Sequence, residues 1–205
     1  MDQILFELLA AWPGLLGRPD LELVEDSLVL LDFLPESGRV IDVGSGGGLP
    51  GLPLKLARPA LDLTLLESNG RKAAFLQQVV ASLALSGVLV VRARAEAAGR
   101  LPAHREAYDI AVVRALAPMP VLAELCLPFV RVGGRLLAMK AHAEAEVRLA
   151  LPAIEKLGGR LREVAPAPSA ARSSGVVVVV SKERSTPAEY PRRAGLPARR
   201  PLAGG

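Results

Sequence analysis

Two hydrophobic rhythms alternate along most of this chain. From residue 39 onward, short apolar runs rich in Val, Ile and Leu give way to longer stretches whose apolar positions recur every three or four residues. The short runs predict strands over 39–43, 62–67, 88–92, 109–113 and 134–140, and the longer stretches predict helices over 50–58, 70–85, 119–130 and 143–157. A turn region falls at 95–100. Strand and helix in regular succession, joined by right-handed crossovers, predict a doubly wound α/β sheet, mostly parallel, with ligands at the carboxyl ends of its strands.

The two ends depart from this rhythm. Residues 160–164 and the five-valine run 176–180 are strand-like, but the Pro/Ala/Ser segment 165–175 between them cannot supply a crossover helix, so they predict an antiparallel pair at one edge. Ahead of the first strand, residues 2–10 and about 20–34 have helical spacing, the second through Leu21, Val24, Leu28, Leu31 and Leu34. Trp12-Pro13-Gly14 and Gly17-Arg18-Pro19 punctuate them as turns. The expected organisation is an N-terminal helical cap over 1–37, a sheet domain over 38–183 and a tail over 184–205.

Composition narrows the class. Hydrophobic residues make up 51% and aromatics only 3%, so the core must be built from Leu, Val and Ala, as in buried parallel strands. A single cysteine, Cys126, excludes an internal disulfide and a cysteine-based metal cluster, and its apolar helical setting marks a small buried hydrophobe. The segment Met1–Leu9 carries two acids and no basic leader, and no apolar stretch reaches the ~20 residues that cross a bilayer. A cytoplasmic, monomeric protein without membrane contact is expected. The net charge of +4 is concentrated at one end: from Lys182 to Gly205 six basic residues face two acids, which leaves the body neutral. That asymmetry points to a polyanionic partner, nucleic acid first, with a solvated, solubilising tail as the plainer alternative.

The densest chemistry lies in Gly38–Gly51, where an apolar strand runs into Asp42 and then into Gly44, Gly46, Gly47, Gly48 and Gly51. Glycines packed this closely let the backbone turn and approach a ligand, and Pro50 suits the first turn of a helix. Gly46-x-Gly48-x-x-Gly51 also satisfies the dinucleotide pattern, with Glu67 downstream. Asp42 favours a different ligand, because an anion at the strand end opposes a pyrophosphate but suits the sulfonium and amino groups of S-adenosylmethionine. The terminal hairpin points the same way. Candidate cofactor contacts are Asp42, Gly44, Ser45, Gly46, Gly48, Leu49, Glu67, Ser68, Ala95 and Glu96, with Glu67 placed for ribose hydroxyls and Ala95-Glu96 for the adenine edge. Arg114 ends the fourth strand and Lys140 the fifth. Two cations beside a cationic cofactor fit an anionic substrate such as RNA, unless each pairs with a nearby acid such as Asp42 or Glu67.

Five segments together carry a family resemblance: Asp42–Leu54, Leu66–Lys72 with Phe75-Leu76, Val113–Ala117, Leu137–Lys140, and Thr186-Pro187 with Tyr190-Pro191-Arg192-Arg193, Gly195 and Pro197. Over about residues 24–201 the chain resembles the bacterial RsmG family, the small-subunit ribosomal RNA guanine-N7 methyltransferases also called glucose-inhibited division protein B. The resemblance implies a Rossmann-like class I methyltransferase with a seven-stranded sheet. It also implies S-adenosylmethionine contacts from Gly44, Leu49, Ala95, Glu96 and Arg114, catalytic roles for Arg114 and Lys140, and Lys140 and Arg172 near 16S ribosomal RNA or its assembly particle. The family's Arg-His pair is absent here, where Glu22 and Leu23 precede Val24-Glu25-Asp26-Ser27, and an upstream Asn-Leu-Thr segment is missing. Three other readings remain at this point: a small-molecule methyltransferase, an NAD-dependent oxidoreductase and a non-catalytic RNA-binding module.

Overall fold

A computed structural model of the chain describes residues 21–141 and 143–202. The helix expected over 2–10 and the turns at 12–14 and 17–19 lie outside them. Seven strands form one sheet in the order β3-β2-β1-β4-β5-β7-β6. They are β1 (Gly38–Val43), β2 (Leu61–Glu67), β3 (Val88–Arg92), β4 (Tyr108–Arg114), β5 (Val130–Lys140), β6 (Gly159–Pro166) and β7 (Val176–Lys182). The first five are parallel; β7 runs antiparallel between β5 and β6, as the five-valine run predicts. The chain winds outward from β1 to β3, then returns to β4 on the other side of β1. This reversal opens a crevice at the carboxyl ends of β1 and β4.

Helices cover both faces. One carries α1 (Leu21–Ser27) with its 3-10 continuation Leu28–Phe33, α2 (Gly51–Ala57) and α3 (Gly70–Ser82); the other carries α4 (Ala95–Ala98), α5 (Met119–Cys126) and α6 (Glu144–Lys156). The period-2 alternation of the strands divides the core. Val40, Ile110, Val112, Leu137 and Val177 face the first group, whereas Ile41, Val43, Ala111, Val113 and Val178 face the second. Each fully buried Leu, Val or Ile contributes roughly 1.5–3 kcal/mol relative to an exposed one, so two dry faces suffice with few aromatics. Cys126 is buried among them, and burial pushes its thiol up, away from nucleophilic use.

Several boundaries differ from the sequence expectation for local reasons. The helix expected over 119–130 ends at Cys126 and tightens into a 3-10 turn at Leu127–Phe129, because Pro128 has no N–H to donate. Strand β5 starts at Val130 rather than 134; Gly133, at φ +86°, forms a bulge and Gly134 lies against the Asp109 carbonyl, where a Cβ would come within 2.4 Å. The turn expected at 95–100 contains the short helix α4, and the helix expected over 20–34 changes to 3-10 form after Ser27. No helix among the described residues is long and apolar enough to cross a membrane.

Candidate functional site

The glycine loop leaves β1 with its backbone tied to β2. Gly44 and Ser45 N–H both donate to the Leu66 carbonyl, at 2.8 and 3.0 Å, and Ser45 Oγ donates to the Asp42 carbonyl. Two glycines are required by space. A Cβ on Gly48, at φ +88°, would stand 2.2 Å from Leu52 Cδ1, and one on Gly44, at φ +76°, would stand 2.7 Å from Leu116 Cδ1. Glu67 closes the frame: its Oε2 accepts from Gly46 N–H at 2.9 Å and its Oε1 from Asn69 N–H at 2.6 Å. Asn69 in turn caps α3 through the amides of Arg71 and Lys72.

Asp42 is buried beneath this loop. Its Oδ2 accepts from Gly51 N–H at 3.0 Å, and its Oδ1 has no hydrogen-bond partner among the described residues. Burial pushes the carboxyl up to about 7, against the Gly51 amide, the Arg114 charge and Ser45. Asp42 therefore organises the loop from below, rather than lining the cavity as an open counter-ion. The same contact bears on the dinucleotide reading, since the first amide of α2 already donates to the Asp42 carboxyl and is not open to a phosphate.

Above the loop, at the crevice, lies a cavity of about 210 Å³ with Gly44, Ser68, Ala95, Glu96 and Leu116 in its walls. The floor is apolar, from Val43, Leu66 and Ala93, and Val121 and Leu125 of α5 close one side. Leu116 reaches over Gly44 from Ala115, whose φ of +49° puts a non-glycine residue in the left-handed region. Of the expected cofactor contacts, Gly44, Ser68, Ala95 and Glu96 meet at this cavity, whereas Asp42, Ser45, Gly46, Gly48, Leu49 and Glu67 form the frame that shapes it.

Arg114 and Lys140 do stand on adjacent strand ends, but each is tied down by a partner other than Asp42 or Glu67. Arg114 Nη1 donates to the Leu23 carbonyl at 3.0 Å and lies 3.7 Å from Asp26 Oδ2. Burial holds this guanidinium below the usual arginine value, against the attraction of Asp26 and Asp42. Asp26, 1% exposed, also receives Arg172 Nε at 2.9 Å and the Ser169 hydroxyl, so α1 and the 165–175 segment meet at one carboxylate. Lys140 Nζ donates to the Ala117 carbonyl at 2.7 Å and to Glu146 Oε2 at 2.8 Å. Beyond it a groove of about 770 Å³ runs between α6 and the β6–β7 edge, lined by Glu144, Arg148 and Ser174 among others.

The basic segment that follows β7 is docked on the body of the protein as a strap. Lys182 is buried, with Nζ donating to the Leu127 and Val130 carbonyls and Thr186 Oγ1 and lying 3.1 Å from Glu106; burial pulls its pKa down to about 8. Arg192 clasps both oxygens of the fully buried Glu124. Arg193, Arg199 and Arg200 remain exposed. The short helix α7 (Leu196–Arg199) brings Gly195 and Ala198 to the cavity wall. Asp26, Glu124, Glu146 and Gly195 were not singled out as site residues from sequence. A signal existed for one of them: Glu124 is the single charged residue within an otherwise apolar helical run.

The acids, glycine backbone and apolar floor fit a cofactor that is part cationic and part aromatic. A family model described as GidB, rRNA small subunit methyltransferase G, matches residues 21–172. The ribosomal RNA small subunit methyltransferase G of Rubrobacter xylanophilus is 50% identical over 192 residues, covering 90% of this chain and 74% of that one. The protein of the same name from Moorella thermoacetica is 48% identical over 183 residues, covering 87% and 76%. Among solved structures, a mutant of MtNAS in complex with S-adenosylmethionine superposes with a TM-score of 0.62 at 18% identity, covering 89% of this chain and 72% of that one. M. jannaschii TYW2 in complex with AdoMet superposes with a TM-score of 0.57 at 18% identity, covering 78% and 74%. At these identities the structural likeness shows the fold.

Proposed function

This chain belongs to the family of rRNA small subunit methyltransferase G, and from that premise we propose that it transfers a methyl group from S-adenosylmethionine to N7 of a guanine in small-subunit (16S) ribosomal RNA. The single observation that carries the reading is the cavity between Gly44, Ser68 and Glu96 at the reversal of strand order, in a chain half identical to a methyltransferase of that name. When bound, S-adenosylmethionine supplies an electrophilic methyl group on a sulfonium. Gly44, Ser68, Ala95 and Glu96 would hold it, on a frame fixed by Asp42 and Glu67. The carboxylates of Glu67 and Glu96 suit a cationic ligand there. The same charge disfavours the pyrophosphate of a dinucleotide.

Guanine N7 carries a free lone pair and no proton, so the chemistry asks for no general base. That suits a rim whose carboxylates already accept hydrogen bonds: Glu67 and Glu96 from backbone amides, Asp26 from Arg172 and Ser169. The residues' work is to orient the base, exclude water and balance charge. A donor on N7 would occupy the attacking lone pair, so Arg114 and Lys140 serve the O6 edge or the phosphates. Their bonds to Asp26 and Glu146 keep them extended on the rim, at a small reorganisation cost when an anion arrives. The target guanine must be unstacked, which favours a single-stranded or pre-assembly RNA.

The test is to map N7-methylguanosine in small-subunit rRNA from cells with and without this protein, and to repeat the transfer with purified chain, RNA and labelled S-adenosylmethionine. A mark that depends on the protein is the expected result; methylation of another position or of a small molecule overturns the nucleotide assignment. Arg114→Ala should abolish transfer while the chain stays folded, and normal turnover in that variant removes Arg114 from the catalytic machinery.

A further inference from the structure

We propose that the strap following β7 is the outer wall of the cofactor site, and that its docking is coupled to cofactor binding through Glu96. This inference rests on the reading of the cavity as an S-adenosylmethionine site.

The coupling runs through one carboxylate. Glu96 stands in the cavity wall beside Ala95, at the end the cofactor reading gives to adenosine, and its Oε1 accepts the Gly195 N–H at 2.8 Å. Gly195 has φ +78° and turns the strap so that Gly195 and Ala198 themselves face the cavity. Most of the strap's other anchors lie away from the cavity. Arg105 donates to the Thr186, Pro187 and Tyr190 carbonyls, Arg100 to those of Glu189 and Pro191, and Arg192 to Glu124. Five of these acceptors are backbone carbonyls, so the strap's path, more than its side chains, is being fixed.

Volume supplies the second argument. About 210 Å³ is below the ~300 Å³ at which small-molecule sites begin, so a cofactor that fills this half-open cavity lies against its walls, the strap at Gly195 and Ala198 included. The floor and one side belong to the sheet and α5. The walls outside those elements include the strap and the Ala115–Leu116 turn. A ligand that presses on the strap at Gly195 and Ala198 loads the bond to Glu96, and by linkage any change in strap docking returns as a change in affinity.

The experiment uses the full chain. The one cysteine, Cys126, is buried, so a solvatochromic dye can be placed selectively on Ala198→Cys or, as control, on Ala194→Cys, which is exposed and outside the cavity wall. Titration with S-adenosylhomocysteine should shift the emission of the dye at 198, saturating at the Kd measured by calorimetry on the unlabelled chain, and leave the dye at 194 unchanged. A double variant, Arg192→Ala with Glu124→Gln, removes the anchor without stranding a buried charge. It should raise the Kd at least tenfold and speed tryptic cleavage after Arg193 and Arg199 relative to the wild-type chain, with the ligand slowing that cleavage. A silent dye at 198 through saturation overturns the proposal, as does an unchanged Kd in a folded double variant. Should the double variant fail to fold, the dye decides. If the wild-type chain binds no S-adenosylhomocysteine at all, it is the cofactor reading that has failed.

Discussion

The carboxylates at the ends of β1 and β2 and the cations at the ends of β4 and β5 share one rim of the sheet but are held in opposite ways. Asp42 and Glu67 accept backbone amides of the loop they shape, from residues 9 and 21 positions away. Arg114 and Arg172 converge on Asp26, whose bond to Arg172 spans 146 positions, and Lys140 on Glu146. The acids are positioned by the backbone amides of two loop glycines, Gly46 and Gly51. The cations are positioned by carboxylates together with the Leu23, Ala117 and Lys140 carbonyls, and the Asp26 cluster forms only when the cap and the hairpin have docked. A rigid floor for a cofactor and a set of restrained cations for a substrate follow from this difference.

The largest effect should come from the cationic half. Asp26→Ala strands two largely buried guanidiniums, and breaking a buried charged cluster from one side costs about 3–5 kcal/mol; urea unfolding should show it as an early midpoint, and a shift below about 1 kcal/mol would mean that backbone carbonyls alone hold the arginines. On the acidic half, Glu67→Ala frees the Gly46 and Asn69 amides. Hydrogen bonds to a charged group contribute about 1.5–3 kcal/mol each at most, so the expected loss is a few kcal/mol in the same assay, with weaker S-adenosylhomocysteine binding by calorimetry. Glu67→Gln, which keeps one acceptor, should fall between.

A smaller effect concerns the pH dependence of stability. The folded pKa of Asp42 is raised to about 7, above the ~3.9 of an unfolded aspartate, so the native state binds the extra proton between these values and stability falls as pH rises through that window. Asp42→Asn keeps an acceptor for the Gly51 amide and should remove that part of the slope from denaturation curves taken between about pH 4 and 7. An unchanged slope would mean that another group titrates there. The smallest effect on stability should come from the cations on neither half. Arg193→Ala with Arg199→Ala should stay within about 0.5 kcal/mol of wild type, yet lower the salt dependence of rRNA binding by about one phosphate contact per arginine. An unchanged salt slope leaves these two as solubilising charges.

The order of legibility follows the same division. Strand alternation exposed the sheet, and the valine run its antiparallel edge, because period-2 burial is written in consecutive residues. Gly44 and Glu96 could be placed at the cavity from sequence because strand ends are local features, whereas Glu67, expected to meet a ribose, has both oxygens taken by loop amides. The partner of Arg114 was not legible, since Asp26 lies far away in sequence and becomes a neighbour only through packing, whereas Glu146 stands only six positions beyond Lys140. The tail misled for a related reason: Lys182 and Arg192 add to a count of positive charge, but Glu106 and Glu124, which neutralise them, lie far away in sequence. Composition reports charge, and it is blind to pairing.

The bond between Gly195 and Glu96 joins residues 99 positions apart, and this has a consequence for the order of events as the chain leaves the ribosome. Loop, floor and Glu96 are in place once β1 to β5 have paired, but the outer wall must wait for the strap. A nascent chain that ends at β7 lacks the wall that Gly195 and Ala198 supply to the cavity. Under the coupling proposed above, retention of the cofactor then waits on the strap, a contact made well after the floor has formed.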